Sequence, residues 1–171
     1  TTSILWEVIM EIKDSGARRE FGTGAVRDIA EGKGRCDLLP LKVVSSLLHS
    51  DVLFNIECYI RTGSVDFLHM AISQFVKKDS NWDNIYTAML EAAKQYEDGC
   101  KKYGDRNWEK GQPLHVFIDS GVRHYLKFKR GDTDEPHDRA FVWNMLGAIW
   151  THENKPELID LPFVEVEKCE S

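Results

Sequence analysis

"PLHVFIDSGVRHYLKFKRGDTDEPHDRAFVWNMLGAIW", residues 113–150, is the stretch whose reading decides the fold. Pro113 suits the first turn of a helix, and Gly131 ends that helix after a basic last turn that complements the backbone dipole. A charged break closed by Pro136 leads into "HDRAFVWNMLGAIW" (137–150), which is almost wholly apolar after its first turn. A helix that is apolar all round belongs in the centre of a bundle.

Working outward, helical spacing of apolar residues recurs over 41–60, 64–77 and 83–103 as well as 113–129 and 137–150. Breaks fall at Thr62-Gly63, Lys78-Asp79-Ser80, Gly104 to Gly111 and Gly131 to Pro136. Within 83–103, Ile85, Met89, Ala92, Tyr96 and Cys100 recur at three and four and read as one buried stripe closed by Gly104. The expectation is an all-α, mainly helical bundle formed by a single domain over residues 1–171. Residues 13–40 form a long glycine- and arginine-rich arm ahead of it, and residues 151–171 an extended C-terminal arm. Minor β structure is admitted in residues 1–12, which suit an edge strand or a short helix, and in the alternating "FVEVEK" (163–168), an edge strand or a subunit contact.

The 171 residues and 42% apolar content supply one ordinary core. A net charge of −6 gives no basic face for generic nucleic-acid binding, so direct contact with DNA or RNA is not expected. Any anion site is local. Four scattered cysteines without a C-x-x-C pair, and no evident secretory leader, point to reduced thiols and a cytoplasmic location. No apolar run reaches the roughly 20 residues that span a bilayer.

The arm is where a local anion site is expected. "REFGTGAVRDIAEGKGRCDLLP" (19–40) is too irregular for one helix, and loops this long in a compact domain usually bind something. Gly22, Gly24, Gly32 and Gly34 let the chain bend closely around a ligand, with Arg27, Lys33 and Arg35 available to an anion and Lys101, Lys102 and Arg106 to complete the cradle. A surface arm is the alternative. "EGKGR" lacks the hydroxyl residue and upstream glycine of a phosphate-binding P-loop. "KYGDRNWEKG" (102–111) offers Tyr103, Arg106, Asn107 and Trp108, which suit either stacking on a purine or a packed helix corner.

Carboxylates and histidines accumulate in the last three helices. Asn144 sits in an otherwise apolar segment, seven residues after His137. Its amide is either a core group satisfied by a backbone carbonyl or a ligand contact. Asp119 and Arg123, four apart, read on spacing alone as a surface ion pair. Glu97, Asp119, Asp134 and Asp138 come from successive helices or their first turns, so they can converge on a divalent cation such as Mg²⁺. Zinc is disfavoured by the absence of closely paired cysteines and histidines. The dipeptide His137-Asp138, with His115 or His124 upstream, admits an HD-type phosphohydrolase, although the short gap between them suits that arrangement poorly.

Three blocks, "FGTGAVRDIAEGKGRCDLLP" (21–40), "YEDGCKKYGDRNWEKG" (96–111) and the stretch 119–150, resemble in order the phage dATP/dGTP diphosphohydrolase domain, a relative of the all-α MazG-like nucleotide pyrophosphohydrolases. The resemblance implies hydrolysis of a purine deoxynucleoside triphosphate (dGTP or dATP) to the monophosphate and pyrophosphate. It implies Mg²⁺ or Mn²⁺ as cofactor, a homo-oligomer, and the host cytoplasm if the chain is phage-encoded. Residues 41–90 then read as a helical insertion, and 91–150 as the core helices carrying the metal site. The MazG pattern of Glu-x-x-Glu followed by Glu-x-x-Asp is only partly matched: Glu97 is followed by Cys100, while Glu135 and Asp138 stand in Glu-x-x-Asp register. Glu97, Asp119, His124 and Asp138 become the catalytic candidates, and Glu97, Asp119, Asp134, Glu135, His137 and Asp138 the metal candidates. Arg27, Lys33, Arg35, Lys102, Tyr103, Arg106, Asn107, Trp108, Arg123 and Asn144 become the substrate contacts. A nucleotide-binding module that sequesters without hydrolysis is the competing expectation, favoured by the missing second glutamate and opposed by the clustered acids.

Overall fold

The computed structural model describes residues 14–164. Within them a short hairpin, β1 (Arg18–Glu20) and β2 (Val26–Asp28), precedes six helices: α1 (Leu41–Leu48), α2 (Asp51–Thr62), α3 (Asp66–Gln74), α4 (Ile85–Tyr103), α5 (Leu114–Arg130) and α6 (His137–Asn154). The expected edge strand or helix at 1–12, and residues 165–168 of the alternating tail at 163–168, lie outside the described residues.

α6 lies at the centre, as its all-round apolarity requires, and α5 makes the broadest contact with it, flanked by α3 and α4. Gly147 permits that approach. A Cβ at this position would lie 2.4 Å from Cε1 and 2.7 Å from Cδ1 of the buried Phe117 ring. Gly147→Ala is therefore expected to cost about 1–3 kcal/mol through overpacking. Urea denaturation reads this directly, and an unchanged midpoint would contradict the close packing.

Four features depart from the sequence expectations. The helix anticipated over 41–60 is two helices, because His49 turns left-handed (φ 51°) and the Ser50 side chain caps α2 by accepting from Leu53 N at 3.1 Å. α3 ends in a π-helical turn, Phe75–Asp79. On α4 the buried stripe is Ala88, Ala92 and Gln95, whereas Ile85, Met89 and Cys100 are exposed. Small alanines let α4 come close to α6, and that approach turns the larger side chains outward. The arm, lastly, contains the β1–β2 hairpin in place of continuous loop, with Arg19 opposite Arg27 and a turn in which Gly24 adopts φ +87°.

Residues from the whole described length share one core. Leu53, Ile56 and Leu68 of α2 and α3 belong to the same buried cluster as Phe117, Phe141 and Met145 of α5 and α6. At its tail end Phe163 packs edge-on to Tyr59, 5.6 Å between centroids, and Val164 N donates to Arg61 O at 2.8 Å.

Candidate active site

The arm folds back onto the bundle and is pinned at three places. Asn107, buried before α5, donates to Val26 O (2.8 Å) and accepts from Val26 N (2.9 Å), so its amide clamps β2 as a neighbouring strand would. Asp119 accepts from Cys36 N at 2.7 Å, and Arg123 donates to Gly34 O at 2.6 Å. Arg123 Nη2 also lies 2.7 Å from both oxygens of Asp119. The Asp119–Arg123 pair is thus buried under the arm, not a surface ion pair. The arm's C-terminal end, at Gly34 and Cys36, is thus fixed by a charged pair that would be costly to bury singly, and β2 by a neutral amide.

Between the arm and helices α4, α5 and α6 lies a cavity of about 580 Å³. Arg19, Arg27, Lys33, Lys102, Arg123 and Lys127 line it, against Asp14, Asp28, Asp119 and Glu135. Some of this charge is internally balanced: Lys33 faces Asp28 at 3.5 Å, and Arg123 holds Asp119. Arg27 is different. Its Nε donates to Gln112 Oε1, its Nη2 to Asn144 Oδ1 at 2.7 Å, and its guanidinium lies over the rings of Phe117 (5.0 Å) and Trp143 (5.1 Å). The direct partners are neutral amides and rings, and burial pulls its pKa down to about 10. Arg19, its cross-strand partner, lines the same cavity. Like charges directly opposite on a hairpin repel, and an anion bound between them would relieve that repulsion.

Asn144 is the core amide satisfied by a backbone carbonyl, the first of the two sequence alternatives, and it has a second partner. It is 2% exposed, its Nδ2 donates to Ala140 O at 2.8 Å, and its Oδ1 holds Arg27. A backbone carbonyl satisfies one end of the amide, and the other positions a cavity cation.

At the junction of α5 and α6 two histidines meet. His124 Nδ1 and His137 Nδ1 are 2.9 Å apart, and His137 Nε2 lies 2.7 Å from Asp134 Oδ1. Burial, reinforced by His137, holds the His124 imidazole well below its usual pKa, so it is neutral at pH 7. His124, Glu135 and His137 each bring one ligating atom within 4.8 Å of the others, and Asp132, Asp134 and His137 form a second such group. His124 and Glu135 also line the cavity, so the first group opens onto it.

The structure therefore brings together Arg27, Lys33, Lys102, Tyr103, Asn107, Asp119, Arg123, His124, Glu135 and Asn144 around one cavity, with Asp134 and His137 behind His124. It does not bring in the others. Glu97 is exposed on α4 and Asp138 is half-buried in the first turn of α6, accepting from Arg139 N at 2.8 Å; neither lines the cavity nor joins either cation group among the described residues. Arg35 pairs with Asp37 at 2.7 Å, and Arg106 pairs with Glu109. Trp108 packs edge-on to Trp150, 5.0 Å between centroids, and with Arg106 lines a neighbouring cavity instead of this one. Sequence reading missed Lys127 and Trp143 in the lining, and three further contributors. Arg19 lay in the quoted arm without being distinguished from its neighbours. Gln112, just before a helix-opening proline, carried no signal. Asp132 was within reach, since it shares the short acidic break with Asp134.

The fold is an all-α bundle whose N-terminal arm, carrying a short hairpin, closes over a mixed-charge cavity. Residues 75–161, about half of the chain, match the family described as dATP/dGTP diphosphohydrolase, N-terminal, and the chain belongs to that family. The family's description names a hydrolase of purine deoxynucleotides. The matched segment holds α4, α5 and α6 and begins at Phe75, so the arm and residues 41–74 lie ahead of it. No curated protein and no solved structure matches the chain. Among the described residues no helix is long and apolar enough to cross a membrane.

Proposed function

We propose that the protein hydrolyses a purine deoxynucleoside triphosphate, dGTP or dATP, to the monophosphate and pyrophosphate in the cavity beneath the arm. The observation that carries this reading is Arg27, a half-buried cation held by two amides and facing a second arginine, which is the arrangement a polyphosphate completes. Arg19, Arg27, Lys33 and Lys102 bind and orient the phosphates from the arm and α4, and Lys127 adds charge from α5. Tyr103 and Trp143 contribute aromatic rings to the cavity lining.

Two imidazoles and a carboxylate with converging donor atoms suit a divalent cation, and nitrogen donors favour Mn²⁺ over Mg²⁺. His124, His137 and Glu135 would hold it, with Asp134 fixing the His137 ring through Nε2. When bound, such a cation polarises a phosphoryl oxygen and lowers the pKa of an attacking water. The neutral His124 keeps a lone pair for cation or proton at the cavity wall. A homo-oligomer is part of the same reading, and Tyr86 and Leu90, 79% and 70% exposed on α4, supply apolar surface for it.

The test is pyrophosphate release from each purine deoxynucleoside triphosphate with Mn²⁺ or Mg²⁺, and its suppression by a chelator. His137→Ala is expected to lower turnover by more than the about 10–100-fold that loss of an outer partner of a metal ligand costs. Release of inorganic triphosphate would indicate HD-type chemistry, and binding without any product would leave a sequestering module; either result overturns the proposal.

A further inference from the structure

Beside the charged cavity lies a second one of about 340 Å³, and the two share Gly99, Tyr103, Asn107 and Trp143 as a common wall. Their chemistry differs. The second is walled by the rings of Tyr96, Tyr103, Trp108 and Trp143, with Tyr96 edge-on to Trp108 (5.8 Å) and tilted to Trp143 (5.9 Å). Its volume falls at the small end of ordinary ligand pockets, suited to a single bicyclic ring. Arg27 lies over the Trp143 ring, so a cation of the first cavity touches the wall it shares with the aromatic one. A molecule with an anionic tail and a flat aromatic head spans them.

At the mouth of the aromatic cavity, after α4 ends at Gly104, the chain turns through Asp105 and a left-handed Arg106 (φ 52°). The Cys100 thiol donates to Asp105 Oδ1 at 2.6 Å, and Oδ2 accepts no hydrogen bond among the described residues. The neighbouring guanidinium of Arg106 is already paired with Glu109. Asp105 is thus an acceptor-only group at the edge of an aromatic slot. Guanine presents two adjacent donors, N1–H and the N2 amino group, that one carboxylate can accept together. Adenine presents one amino donor beside the bare N1 lone pair, which a carboxylate repels. Sites built on such hydrogen bonds discriminate strongly against a ligand that leaves them unmade.

From this we infer that the aromatic cavity is the nucleobase site and that Asp105 reads the guanine edge, so that guanine deoxynucleotides are preferred to adenine ones. The inference rests on the reading of the charged cavity as the phosphate site. Titrations of dGMP, dAMP and inorganic tripolyphosphate into the full chain, followed by tryptophan fluorescence, separate the two. Wild-type protein is expected to bind dGMP at least about tenfold more tightly than dAMP. Asp105→Asn should shift the preference toward dAMP, because an amide can donate to N1 and accept from the 6-amino group, while tripolyphosphate affinity stays within about twofold. Asp105 is exposed, and equal melting temperatures check that the variant is folded. A dGMP-to-dAMP ratio that Asp105→Asn leaves unchanged overturns the base-reading role. Failure of tripolyphosphate to bind overturns the phosphate site instead, and an Asp105-dependent base preference would then stand without it.

Discussion

Arg27→Ala is expected to lower kcat/KM for the triphosphate about 10²–10³-fold, the range typical of removing one preorganised donor from a charged transition state. The reason is geometric. Gln112 and Asn144 hold Nε and Nη2 while Phe117 and Trp143 support the guanidinium plane, so the cation is aimed before substrate arrives. Arg27→Lys should recover little, because an ammonium cannot engage both amides and still present charge to the cavity. The alanine variant also leaves the oxygens of Gln112 and Asn144 without their donor, a cost of about 1–3 kcal/mol in stability. Steady-state kinetics alongside thermal unfolding separate the effects. A variant that melts normally and keeps kcat/KM within about twofold would remove Arg27 from the site.

Phe75→Ala is expected to lower unfolding free energy by about 3–5 kcal/mol, the upper range for a core truncation. Phe75 is fully buried in the π-helical turn after α3 and touches rings from three other segments: Phe141 at 4.6 Å, Phe128 at 5.3 Å, Trp82 at 5.9 Å and Tyr125 at 6.1 Å between centroids. Removing it opens a cavity walled by stiff aromatic side chains that cannot collapse to fill it. Urea denaturation of the two proteins measures the difference, and a loss below about 1 kcal/mol would show that Phe75 is not the hub of this cluster. The same substitution tests whether residues before the family-matched segment depend on it, since α2 and α3 should lose cooperativity with α6.

Much of the helical frame is legible because burial imposes a period on the chain. α5 and α6 begin and end within a few residues of their expected bounds: Pro113 and Gly131 bracket the first, and the apolarity of 137–150 can be explained only by a central position. The split at His49 was less visible, because a continuous apolar pattern runs across it and only Ser50-Asp51 signals a new helix start. α4 shows where the period misleads. Its buried residues, Ala88, Ala92 and Gln95, share only Ala92 with the expected stripe, because close packing against α6 turned a different face inward.

The site was legible by residue type and not by pairing. Histidines, acids and basic arm residues were all in view, but helical spacing cannot choose between Glu97 and Glu135, nor tell that His124 and His137, thirteen apart, meet at Nδ1. It also could not show that Asp119 and Arg123 close over the arm's backbone, because on one helix a pair four apart looks the same whether water or protein lies above it.

By itself, then, the order of residues determined an α bundle with α6 inside and a cationic glycine-rich arm ahead of it, since periodicity, caps and local charge are properties of neighbours in the chain. Which cations meet which acids, and which aromatic rings border them, was decided only when α4, α5, α6 and the arm came together. The arm's contacts with the bundle link residues about 80 to 120 positions apart, and their energies depend on burial and distance that no local pattern encodes.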